Sequence, residues 1–81
     1  MMKPALFDGI ELVVDLPADN LKAGAKGAII EDFGDDEYEV EFANSDGETS
    51  ALCTLTSEQF IVIWIAETKA WTSVSEQVQT S

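Results

Sequence analysis

The chain contains no histidine and no arginine, a single cysteine, two prolines and four lysines. Each shortage removes a class of chemistry. Without histidine there is no side chain whose ordinary pKa suits it to general acid–base work near neutrality, and the commonest neutral zinc ligand is missing. Without arginine there is no planar fork to clamp a phosphate or carboxylate. Cys53 cannot form an internal disulfide or build a multi-thiolate metal site, which fits a reducing cytoplasm. Long apolar runs are scarce too. The longest is Phe60–Ala66, far short of the ~20 residues of a spanning helix, and Met1–Leu6 lacks the apolar core of a signal peptide.

Acidic residues are what the chain has in excess. Sixteen Asp and Glu against four Lys give a net charge of −12 over 81 residues. Nucleic-acid binders gain affinity by neutralising phosphates with basic side chains, so this charge excludes nucleic acids and anionic membranes as partners. It steers the chain toward basic partners, or it only keeps the surface solvated. With 46% hydrophobic residues, a core can form. The length allows one domain of marginal stability.

The periodicity is that of strands. Ile10, Leu12, Val14 and Leu16 alternate with Glu11, Val13 and Asp15, a first strand ended by Pro17. Residues 18–26 form a loop with Asp19 and Asn20 as turn formers. Gly24 and Gly27 mark positions needing either positive φ or close backbone approach. Residues 28–33 are a second strand. In the third, Tyr38, Val40 and Phe42 alternate strictly with Glu37, Glu39 and Glu41, so one face is apolar and the other anionic. Asn44–Gly47 is a hairpin connection, residues 48–55 are the fourth strand, residues 56–59 suit a 3₁₀ turn, and Phe60–Ile65 is the fifth strand. Five short strands with a long first loop predict an all-β fold, a small five-stranded SH3-like barrel over residues 6–65. Residues 66–81 are a polar C-terminal extension.

Several clusters have both a functional and a plain structural reading. Asp32, Asp35, Asp36 and Glu37 crowd one turn. Calcium takes six to eight oxygen ligands, but the spacing is not that of an EF-hand loop, and a solvated turn explains it equally. Glu37, Glu39 and Glu41 stand roughly 7 Å apart along one strand face, twice the ~3.4 Å rise. That stripe suits a basic partner, or imitates a nucleic-acid backbone, or keeps an outer barrel face wet. A glycosidase carboxylate pair would need a cleft, and the interior of so small a barrel is filled by side chains. The glycines of Lys22–Gly27 precede a strand rather than a helix, so they are a structural turn and not a phosphate loop. Cys53 reads as a small buried hydrophobe. No catalytic residue, cofactor or metal ligand is assigned.

Phe60–Ile65 does not alternate, so something covers both of its faces. A second chain is one cover. The chain's own tail is the other, since Trp71, Val74 and Val78 lie on one helical stripe. A frayed tail is the alternative. The candidate partner-binding residues are therefore Glu37, Glu39, Glu41, Ile61, Ile63, Ile65, Trp71 and Val74.

Residues 7–14 (FDGIELVV), 15–17 (DLP) and 21–27 (LKAGAKG) resemble a family of short bacterial proteins. So do residues 38–42 (YEVEF), Asp46-Gly47 and Thr54-Leu55. The family is the domain-of-unknown-function family numbered forty-nine twenty-six, and the resemblance covers residues 6–63. It implies an SH3-like barrel related in outline to KOW-type modules, and no established activity, ligand or catalytic residue. The low lysine and arginine count departs from RNA-binding KOW-type relatives, and the tail beyond Ile65 has no counterpart in the resemblance.

The expected function is a non-enzymatic acidic interaction module, in the cytoplasm, that binds a protein partner or itself. An acidic inhibitor or antitoxin-like protein that occupies a nucleic-acid-binding site is the first alternative. A small-ligand-binding barrel is the second.

Overall fold

The computed structural model of the chain describes residues 3–72. Val74 and Val78 of the expected helical stripe lie outside the described residues. Six strands, β1 (Gly9–Leu12), β2 (Lys26–Gly34), β3 (Glu37–Ala43), β4 (Thr49–Leu55), β5 (Phe60–Ile65) and β6 (Ala70–Trp71), form one antiparallel sheet. Their order is β4-β3-β2-β1-β5-β6. The fold is all-β, and no helix among the described residues is long and apolar enough to cross a membrane.

The alternation of β3 is borne out. Tyr38, Val40 and Phe42 are buried, while Glu39 and Glu41 are half-buried and Glu37 is exposed. Ile10 and Leu12 of β1, Ile29 of β2, Cys53 and Leu55 of β4, and Phe60 and Val62 of β5 complete the core. The sheet curls to enclose these side chains. The Tyr38 and Phe60 rings meet edge to face at 5.8 Å, although β2 and β1 lie between their strands in the sheet.

The architecture follows the SH3-like outline only roughly. β4 and β6 end the strand order unpaired with each other, so the wall is open rather than a closed barrel. A sixth strand within the tail extends the sheet beyond the five expected. β1 is shorter than its alternation suggested. It ends at Leu12, and Val13 and Val14 are exposed, although the Val13 N–H still donates to the Gln59 carbonyl at 2.9 Å, one step beyond the Leu12–Phe60 pair. Leu16 and Leu21 then form an isolated bridge around a 3₁₀ turn at Pro17–Asp19.

The turns follow the sequence closely. The Asn44 Oδ1 accepts the N–H groups of Asp46 and Glu48 at 2.9 and 3.0 Å, and Gly47 takes φ +84°, the left-handed conformation glycine adopts without strain. Ser57–Gln59 is the expected 3₁₀ turn. The Gln59 Oε1 accepts the Thr56 N–H at 2.9 Å in a capping box.

Candidate functional site

Side chains of adjacent strands face one another in register, and one register row crosses all six strands on the outer surface. Leu52 pairs with Glu41, Glu41 with Ala28, Ala28 with Gly9, Gly9 with Trp64, and Trp64 with Trp71. The middle of this row, Ala28 and Gly9, has almost no side chain. Its two flanks differ in chemistry.

On one flank stand the carboxylates. Glu31 is opposite Glu39 across β2 and β3. Glu39 accepts a hydrogen bond from the Thr54 hydroxyl at 3.1 Å, and Glu41 accepts one from the Thr49 hydroxyl. These bonds hold two carboxylates against β4 without neutralising them. Lys26, the nearby cation, lies 3.7 Å from Glu11 instead.

On the other flank stand the tryptophans. The rings of Trp64 and Trp71 pack edge to face with centroids 6.4 Å apart. Trp71 remains 73% exposed, although its backbone is paired in β6. Two bonds from Thr72, N–H to the Ile63 carbonyl and hydroxyl to the Val62 carbonyl, both at 2.8 Å, pin this segment to β5. Sequence reasoning picked out Trp71 and missed Trp64, because Trp64 sits inside an unbroken apolar run with no sign of which way it points.

The three isoleucines of β5 do not share one exposed face. Gly9 pairs with Trp64 while Ile10 pairs with Val62, so Ile63 is the extra residue of a β-bulge. Ile61 is half-buried beside Glu11, Ile63 is buried, and Ile65 packs against the core. The continuous apolarity of Phe60–Ile65 is thus met within the chain. β5 is paired on both sides, by β1 and β6, and offers no free edge.

The remaining clusters are occupied by backbone duties. In the acidic turn, the Asp32 Oδ1 accepts the Gly34 N–H at 2.9 Å and the Asp36 Oδ2 accepts the Ser57 N–H at 3.4 Å. Among the described residues, no group of His, Cys, Asp and Glu side chains is placed to hold a metal ion. Of the Lys22–Gly27 stretch, only residues 22–25 are a turn, in which Gly24 takes φ +97°, while Lys26 and Gly27 already belong to β2. A shallow cleft beside the turn is lined by Asp15, Pro17, Asn20, Leu21 and Lys22.

Cys53 is buried in the core. Burial first, and then the Asp19 carboxylate that accepts from it and the charge of Glu39, push its thiol up to about 11. A thiol so protonated is a poor nucleophile at neutral pH. Burial, and then Asp32 and Asp36, also raise the Tyr38 phenol above its usual 10.0. Both groups therefore stay neutral in the fold at pH values where the unfolded chain has begun to ionise. The contribution of these two groups to stability is then level below pH 9.0, the ordinary thiol value, and falls as pH rises toward about 11. The thiol accounts for about 2–3 kcal/mol of that loss. Urea titrations across this window will show the decline, and Cys53→Ala will flatten part of it. An equal slope in both proteins would remove Cys53 from the account.

No curated protein and no solved structure matches the chain. The profile of the family described as Domain of unknown function (DUF4926) matches residues 6–62, the span from the turn before β1 into β5, and the chain belongs to that family.

Proposed function

We propose that the protein is a non-enzymatic interaction module that docks a basic protein segment across its outer sheet face. The observation that carries this reading is Trp71. A tryptophan held in a paired strand yet 73% exposed forgoes most of the burial its ring offers. It shares a register row with Glu41. One lysine or arginine side chain of the segment stacks on an indole face, and others, several strands away, are attracted by the carboxylates of Glu31, Glu39 and Glu41. The low floor of Ala28 and Gly9 leaves room for a backbone between the flanks. The net charge of −12 favours encounter with a basic partner. The single thiol, Cys53, is in keeping with a cytoplasmic setting.

Titration with a lysine- and arginine-rich peptide, followed by tryptophan fluorescence, tests the reading. Binding is expected to weaken steeply with salt. Trp71→Ala is expected to weaken it about tenfold, the loss of one partly desolvated cation–π contact. Paired Glu39→Gln and Glu41→Gln changes are expected to reduce the salt dependence. Binding that ignores both salt and Trp71 would remove this surface from the reading. Salt-sensitive displacement of nucleic acid from the partner would favour the inhibitor alternative.

A further inference from the structure

β4 forms one edge of the open sheet. Its seven residues, Thr49–Leu55, carry no charge, in a chain where charged residues are 25%. Among the described residues, no backbone hydrogen bond reaches β4 from any element except β3. Proteins usually protect such an edge with lysine, proline, a bulge along its length or a covering loop. β4 contains no lysine and no proline, and its register shift is confined to the end near Thr49. Leu52, its central residue, is 53% exposed.

We propose that β4 pairs antiparallel with the same strand of a second copy, about a two-fold axis through Leu52. This goes beyond the reading of a basic partner and is independent of it. The edge lies at the opposite end of the sheet from Trp71, so the paired form leaves both tryptophans accessible.

The strand is self-complementary in this register. Leu52 meets the partner's Leu52 on the outer face, where the exposed leucine gains the contact it lacks in one copy. Ser50, the extra residue of the bulge opposite Phe42 and Ala43, meets the partner's Thr54, an uncharged pair whose hydroxyls already donate within each copy, to the Phe42 carbonyl and to Glu39. Ala51 meets the partner's Cys53 on the core side. All seven residues of the strand are used, whereas a register displaced along the strand uses fewer.

Charge decides in favour of this edge. Two copies of net charge −12 repel, and contact through β3 would bring their glutamates together. Contact through β4 keeps Glu39 and Glu41 one strand back, held there by Thr54 and Thr49. The nearest carboxylate rows of the two copies are then separated by three strand spacings, about 14 Å, beyond the ~8 Å screening length at physiological salt. The other free edge, β6, is only two residues long and adjoins Lys69.

Sedimentation of the full chain over a wide concentration range tests the proposal. The expected mass rises from the monomer's 8.8 kDa toward twice that value, and association strengthens with added salt. Leu52→Lys sets like charges opposite one another and is expected to weaken self-association about tenfold. It makes each copy less negative, so a general relief of repulsion would produce the opposite change. Leu52 is exposed, and the variant is expected to fold. A second variant reads geometry directly. Opposite Cα atoms of antiparallel strands lie about 4.5–5.5 Å apart, inside the disulfide range of about 4.4–6.8 Å. Leu52→Cys in a Cys53→Ala background is therefore expected to oxidise to a covalent dimer, while Glu58→Cys in that background stays monomeric. A monomer at every concentration, undiminished association of Leu52→Lys, or equal cross-linking at Glu58 would overturn the proposal.

Discussion

Replacing Gly27 with alanine is expected to destabilise the protein by about 3 kcal/mol, the upper end of what overpacking costs, and valine there is expected to cost more. A Cβ at Gly27 would lie 2.6 Å from the Glu41 carbonyl oxygen, 2.9 Å from the Phe42 Cδ2 and 3.0 Å from the Val40 Cγ1. Two of these are side chains of the buried face of β3, and the third is its backbone. None is the loose end of a flexible chain, so β2 and β3 would have to separate. That movement would disturb the Ile29–Val40 pair and the packing of Phe42. At the usual ~0.05–0.15 kcal/mol per residue, the whole domain has roughly 4–12 kcal/mol to lose.

Gly24 is the control. It takes φ +97°, yet nothing lies within 4 Å of its would-be Cβ. Gly24→Ala therefore costs only the left-handed backbone strain, about 1–2 kcal/mol. Urea denaturation of both variants separates the two causes, because the transition midpoint moves while its slope should not. If Gly27→Ala costs no more than Gly24→Ala, the close approach of β2 and β3 is not as described.

Asp8→Ala is expected to cost about 2–4 kcal/mol and to loosen the β5–β6 end of the sheet first. Asp8 is 2% exposed. Its Oδ2 accepts the Ala5 N–H at 3.0 Å, and its Oδ1 accepts the Ala66 N–H at 2.9 Å, from 58 residues along the chain. Its own carbonyl accepts the Ile29 N–H at 3.0 Å. One carboxylate thus ties the entry to β1 to the turn that leads into β6. A hydrogen bond to a charged group contributes about 1.5–3 kcal/mol, and two are lost. Ala66 is only half-buried and Ala5 is exposed, so water replaces part of that loss.

Asp8→Asn keeps one acceptor oxygen and turns an N–H group toward the other donor, and about half the effect is expected. Hydrogen exchange at the Ala66 amide is expected to accelerate in both variants before that of Val40 or Ile29, which lie in the core ladder. A stability within about 0.5 kcal/mol of the parent, as for an ordinary surface change, would show that Asp8 does not clip the two segments together.

Much of this protein is legible locally. The strict alternation of Glu37–Phe42 sets which way β3 faces, and the structure buries the same three side chains. Asn44, Gly47, Thr56 and Gln59 announce their turns because each acts on backbone within a few residues. Gly24 and Gly27 were recognisable as special, but their reasons differ. One needs a left-handed conformation and the other needs space, and only the position of β3 tells them apart. The candidate surface was half legible. Glu39, Glu41 and Trp71 stood out, while Trp64, Ala28 and Gly9 did not.

Amino-acid order by itself determined the location of five of the six strands, the inward face of β3, the acidic surface and the absence of histidine and arginine chemistry, because these depend on side-chain period and composition alone. Tertiary structure decided the bulge at Ile63, the pairing of Trp64 with Trp71, the open edge at β4 and the double bond-making of Asp8. Except for the Trp64–Trp71 pair, which closes a short hairpin, each depends on how segments far apart in the chain come together. Register is settled by the sum of contacts over the whole sheet, and a slip of one residue reverses every face, so no local stretch of sequence contains it.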